Sequence, residues 1–228
     1  MTTPLSQIPH FDPMHAPVLG IDTDLPAVDA ARLSEQALRQ RFAAPPAWQP
    51  ESMVEKKFSN RVPSQAAVLV PLVMREQPTV LLTLRTAHLA THSGQIAFPG
   101  GKTDKEDASP IATALREAQE EVGLQARWVH VLGPLPIYVT GTAFVVTPVV
   151  ALVDPSHQLQ PNPDEVAQAF EVPLAFLMNP ANHRRHAIEW GGERREWFSM
   201  PWQDGAQQRF IWGATAGMLR NLYRFLVA

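Results

Sequence analysis

The chain has 228 residues, enough for one sizeable core or for one core plus an appendage. Its 45% hydrophobic and 18% charged residues exclude wholesale disorder, and a net charge of −3 lacks the basic excess of proteins held to nucleic acid through phosphates. The absence of cysteine excludes disulfides, thiolate metal sites and a cysteine nucleophile.

The opening stretch MTTPLSQIPHFDPMHAPVLG has neither a basic start nor an apolar h-region and does not read as a signal peptide. The longest unbroken apolar run, Ala66–Met74, is nine residues with a proline inside, far short of a membrane span. A soluble, cytoplasmic protein with no membrane partner is expected. Nine of the 22 prolines fall between Pro4 and Pro63, and Pro9, Pro13 and Pro17 interrupt any regular element. One helix is expected here, with Leu33, Ala37, Leu38 and Phe42 on one face and Ala43–Pro46 ending it. Ala44–Asn60 reads as a linker. Residues 1–63 are therefore expected to form a helical arm, and residues 64–228 the main domain.

From Gln65 the texture changes. Ala66–Val73 and Thr79–Leu84 are β-branched-rich runs joined by a short turn. A loop over Arg85–Gln95 leads to a short strand, Ile96–Phe98, and the turn Pro99-Gly100-Gly101. The strongest helix follows, opened by Ser109 as N-cap with Pro110 at N1 and closed by Gly123. Trp128–Leu132, Ile137–Thr140 and Phe144–Val153 read as strands, and Val166–Phe170 and Val172–Met178 as short helical turns. Late strands are expected at His186–Trp190, Glu196–Met200 and Phe210–Trp212, then a closing helix, Ala214–Val227, buried through Met218, Leu219, Leu222, Phe225 and Leu226. Strands and helices mix without βαβ regularity, which predicts an α+β chain or a layered α/β/α sandwich.

The chemistry gathers on the strongest helix. At about 100° per residue, Ile111, Ala114, Leu115, Ala118 and Val122 share one apolar face, with Glu117, Glu120 and Glu121 on the adjoining arc. This is locally unfavourable: Glu117–Glu121 and Glu117–Glu120 are like-charge pairs, each costing roughly 0.2–0.5 kcal/mol. Glu120 and Glu121 also sit in the last turn, where the helix dipole disfavours anions. Arg116 can pair with Glu120, and a hard divalent cation would offset the repulsion more fully. The competing reading is a solvated glutamate face.

The segment GGKTDKEDASPIATALREAQEEVGL resembles the Nudix box, a glycine, a glutamate and then REUXEEXGU with U aliphatic. Arg116–Leu124 fills the second half, with Ala118 in an aliphatic slot. The first half is one residue longer than the common spacing, and Asp107 stands in place of the early glutamate. Upstream, LLTLRTAHLATHSGQIAFPGG is similar to the signature of Nudix coenzyme A pyrophosphatases, except that Ala90 stands where that signature has a basic residue. The stretches LPIYVTGTAFVVTPVVALV, DEVAQAFEVPL and FIWGATAGML also resemble this family. The resemblance runs from about Gln65 to the C-terminus.

It implies a Nudix-type α/β/α sandwich with a mixed sheet. It also implies hydrolysis of the diphosphate of coenzyme A or its thioesters to 3′,5′-ADP and 4′-phosphopantetheine or its acyl form. Mg²⁺ or Mn²⁺ would be held by Glu117, Glu120 and Glu121, with the Gly101 carbonyl as a further ligand. Glu117 or Glu165 would serve as base, with Glu120 assisting, and Arg85, Gln95 and Phe98 are candidate contacts to the small-molecule diphosphate. Two other readings stay open: hydrolysis of another nucleoside diphosphate derivative such as NADH or ADP-ribose, and a non-catalytic ligand-binding module. Trp197, Phe198 and Trp202 are candidates for a homodimer or substrate surface. Gly101-Lys102-Thr103 imitates the tail of a P-loop, but Ile96 stands where that motif needs its first glycine. His88 and His92 are four apart, with no third ligand evident, and read as loop histidines.

Overall fold

A computed structural model describes residues 12–51, 54–56, 62–86, 94–190 and 192–228. His88, Ala90 and His92 lie outside the described residues. Strand β1 (Val18–Ile21) and helix α1 (Glu35–Ala43) come first, then β2 (Ser64–Val73), β3 (Thr79–Arg85), β4 (Ile96–Ala97) and β5 (Gly100–Lys102). Helix α2 (Pro110–Val122) leads to β6 (Val129–Pro134), β7 (Tyr138–Val139), β8 (Phe144–Val153) and β9 (Val166–Pro173). A single turn, α3 (Leu174–Leu177), precedes β10 (Arg184–Trp190), β11 (Glu193–Asp204), β12 (Gln207–Trp212) and the closing helix α4 (Gly213–Val227).

The central sheet is mixed. β2 and β8 run parallel from Ser64↔Phe144 to Val73↔Val153, whereas β3, β5 and β6 join antiparallel. Because side chains alternate across a strand, each central strand feeds two cores. On one face Ala67, Leu69, Leu81, Val149 and Ala151 meet Ala114, Ala118 and Val122 of α2. On the other, Val70, Leu72, Leu82 and Val150 meet Leu38 of α1 and Leu219, Leu222 and Phe225 of α4. Met200 and Ile211 of a second sheet, ordered β1-β10-β11-β12, join that second core. Helices thus cover both faces of a mixed sheet, the α+β sandwich expected.

One expectation is corrected. Val166–Phe170 is not a helical turn but the start of β9, which pairs antiparallel with β3 through Leu82↔Phe170 and Val80↔Val172. Its apolar residues are four apart, a spacing that suits either element, and an edge in need of a partner decides. Leu174–Leu177 does form a helical turn. Among the described residues, no helix is long and apolar enough to cross a membrane.

Candidate active site

Helix α2 begins and ends where its local chemistry demands. The Ala112 N–H donates to the Ser109 hydroxyl at 3.2 Å, and Pro110 occupies the first turn. Gly123 takes φ +68°, with its N–H donating to the Gln119 carbonyl and that of Leu124 to the Ala118 carbonyl. The last carbonyls are capped by a distant loop: the Gln160 N–H donates to Val122 O at 2.8 Å and the Asn162 N–H to Glu121 O at 2.9 Å. That same loop carries Glu165; burial is the main cause that raises the pKa of Glu117 and Glu121, and the Glu165 charge adds to it.

The three helical glutamates have different surroundings. Glu121 is only 2% exposed; its carboxylate accepts from Arg85 Nη1 at 3.0 Å and from the Gly100 N–H at 3.2 Å. Burial is the leading influence and lifts its pKa to about 7 against those two donors. Glu117 is partly buried, and desolvation raises its pKa despite Arg116 Nη1 at 3.0 Å. Glu120 is exposed and shares that Nη1, also at 3.0 Å.

Arg116 is the hub of this cluster. Beyond both glutamates it holds Asp107 with two bonds, Nε to Oδ1 at 3.1 Å and Nη2 to Oδ2 at 2.8 Å, and donates to the Lys102 carbonyl at 3.0 Å. The guanidinium keeps Asp107 well below the usual carboxylate range. Asp107, the departure from the usual box, therefore clamps Arg116 and closes its own loop by accepting from the Asp104 N–H.

Two glycines of β5 connect the helix to a cavity. A Cβ on Gly101 would collide with the Glu117 carboxylate, and one on Gly100 would strike the β2 backbone at Val68. Bare backbone is thus required where β5 passes between α2 and β2. On the far side of β5 lies a cavity of about 750 Å³, lined by Arg85, Gln95, Phe98, Gly100, Gly101 and Lys102. Its opposite walls come from Val54–Lys56, from Arg194–Trp197 of β11 and from the start of α4. Phe98, 2% exposed, is both core and cavity floor.

Of the sequence-derived candidates, Arg85, Gln95, Phe98 and Gly101 face the cavity, while Glu117, Glu120, Glu121 and Glu165 gather behind β5. Trp197 also lines the cavity, Phe198 packs beneath the Arg185 and Arg220 guanidiniums, and Trp202 packs edge-on against Phe176 at 4.7 Å. Among the described residues no three carboxylates or imidazoles are gathered as a ready-made metal cage; the glutamates are turned toward Arg85 and Arg116. The donor set nevertheless suits a hard cation. Glu121 is a buried carboxylate with a raised pKa, Glu117 is pressed against a backbone that admits no side chain, and all the donors are oxygen. Sequence reading missed Lys102, Thr140, Thr142 and Glu55 as cavity residues: the first three stand in segments noted for other resemblances, and Glu55 stands in no pattern that marks it.

A carboxylate-bearing helix backed against a glycine strand, beside a cavity of ligand size, forms the candidate active site. Residues 63–191 match the family model described as NUDIX domain, and the chain belongs to that family. It is 42% identical over 196 residues to an uncharacterized Nudix hydrolase, NudL, of Salmonella dublin, which covers 86% of this chain and 96% of that one. It is 46% identical to the NudL of Escherichia coli K12 over 69% of this chain and 80% of that one. A solved MutT/nudix family protein from Enterococcus faecalis is 17% identical, with a TM-score of 0.44, over 73% of this chain and 63% of that one. The chain is therefore a Nudix hydrolase, an enzyme acting on diphosphate-containing small molecules, a class that generally uses divalent metal ions.

Proposed function

We propose that the enzyme cleaves the diphosphate of coenzyme A or its thioesters, releasing 3′,5′-ADP and 4′-phosphopantetheine or its acyl form. The observation that carries this reading is a coincidence of motif and cavity. The segment Leu81–Gly101, which resembles the coenzyme A signature, contributes Arg85, Gln95, Phe98 and Gly101 to the wall nearest the glutamates.

In this reading Glu117, Glu120, Glu121 and the Gly101 carbonyl hold Mg²⁺ or Mn²⁺, which screens the diphosphate charge and lowers the pKa of water when bound. The remaining steps belong to the chain. Arg85 and Gln95 grip the phosphates from the cavity side. Glu117 or Glu165 orients the attacking water and takes its proton, with Glu120 assisting from the exposed rim; losing such a base costs about 10²–10⁴ in rate.

Product identification after incubation with coenzyme A and Mg²⁺ tests the proposal. The expected products are 3′,5′-ADP and 4′-phosphopantetheine. Faster turnover of NADH or ADP-ribose in the same diphosphate panel would overturn the coenzyme A assignment and leave the hydrolase class intact.

A further inference from the structure

One wall of the cavity comes from the chain that precedes the matched residues 63–191. Val54–Lys56 cross it as a strap pinned at both ends. On one side Val54 bridges to Val139, and the Glu55 N–H donates to the Val139 carbonyl at 2.8 Å. On the other, Arg195 Nη1 donates to the Lys56 carbonyl at 3.1 Å, and the Lys56 ammonium pairs with Glu193. Between these anchors Glu55 turns inward. Its carboxylate accepts from the Tyr138 hydroxyl at 2.9 Å and from the Gly141 N–H at 2.8 Å, and the residue lines the cavity.

The charges divide the cavity into two ends. At the glycine end, Arg85 and Lys102 face the space beside Gly100 and Gly101, where a diphosphate meets cations and bare backbone. At the strap end, Lys56 is paired with Glu193 and Arg194 with Glu196, and the lining also carries Glu55 and Arg195, so the formal charges balance. A carboxylate offers about four lone-pair sites. Among the described residues Tyr138 and Gly141 fill two of them, and a donor on the substrate can fill another.

We propose that Glu55 is a specificity-determining residue: it accepts a hydrogen bond from an uncharged hydroxyl or amide N–H on the group esterified to the diphosphate. The inference rests on the hydrolase reading above and extends it to the N-terminal arm, which becomes part of the substrate cavity.

The test compares a substrate that reaches the strap with a probe that does not. Steady-state KM for coenzyme A and the competitive Ki of methylenediphosphonate, which has no flanking group, are measured with Mg²⁺ for wild type, Glu55→Ala and Glu55→Gln. The lost hydrogen bond predicts a KM about tenfold higher for Glu55→Ala, a smaller rise for Glu55→Gln, and an unchanged Ki. The proposal fails if Glu55→Ala keeps KM within about threefold of wild type, or if KM and Ki rise together, as a general loosening of the fold would make them. If wild type does not turn over coenzyme A, that substrate assignment fails by itself. The same comparison is then run on the best diphosphate of the panel.

Discussion

Arg85 Nη1 lies 3.0 Å from Glu121 Oε1, tying the last residue of β3 to a buried carboxylate near the end of α2. Even with this partner, burial holds the Glu121 pKa at about 7, above its ordinary value of 4.5. The folded protein therefore keeps a proton that the unfolded chain releases. Stability from this group is full below about pH 4.5 and declines as the pH rises through 7, on the order of 3 kcal/mol in total. In chelator, Glu121→Gln is expected to be more stable than wild type at pH 8, by on the order of 2 kcal/mol, and no more stable at pH 4.5. Urea midpoints at the two pH values check this. Added Mg²⁺ should close the gap at pH 8 by stabilising wild type alone, and no Mg²⁺ effect would count against Glu121 as a ligand.

Gly101→Ala should damage the site with little damage to the fold. The new Cβ would collide with the Glu117 carboxylate, which must swing away from β5. A displacement of about 1 Å in a catalytic group can cost about 10² in rate. The expected result is a kcat/KM lower by about that factor, with an unchanged circular dichroism spectrum. Wild-type kinetics would show that Glu117 need not stay where it is.

Helix α2 was legible because its signals are local: Ser109, Pro110 and Gly123 mark its ends, and its apolar face repeats at the helical period. The crowding of Glu117, Glu120 and Glu121 at the edge of that face was legible for the same reason. What escaped depends on partners far along the chain. Val166–Phe170 carries a spacing compatible with a helix and becomes a strand because β3 offers an edge. Arg85 stood out as a candidate, but its partner Glu121 is 36 residues away and no periodicity links them. Glu55 sits in a linker with no pattern at all, and its partners Tyr138 and Gly141 are 83 and 86 residues distant.

A buried histidine should give the protein an acid-labile step. His183 is fully buried; its Nε2 donates to the Leu177 carbonyl at 2.7 Å, so Nδ1 is left to accept from Arg220 Nη1 at 3.0 Å. Burial is the first cause that lowers its pKa to about 4, and the Arg220 charge adds to it. Here the unfolded chain binds the proton first, near pH 6.5, so stability falls as the pH drops from there toward 4. The loss from this group reaches about 2 kcal/mol by pH 5. Because Glu121 gains stability over the same window, the His183 contribution is read as a difference: between pH 7 and 5 the denaturant midpoint of wild type should fall relative to that of His183→Gln. Parallel slopes would remove His183 as the source.

Arg116 presents the sharpest difference between charge and geometry. Its fork holds Asp107 by two bonds, reaches the Lys102 carbonyl, and still offers one nitrogen to Glu117 and Glu120. A lysine keeps the charge but cannot reproduce planar two-point recognition of a carboxylate. Arg116→Lys is therefore expected to behave almost as badly as Arg116→Ala, with kcat/KM down by about 10² as the glutamates lose their shared anchor. Asp107→Asn keeps one acceptor for the guanidinium and should lose less, about tenfold. Steady-state kinetics on the three variants, with thermal midpoints to confirm folding, give the ranking. If Arg116→Lys retained wild-type activity, positive charge alone would explain the residue, and the clamp formed with Asp107 would have no part in placing Glu117 and Glu120.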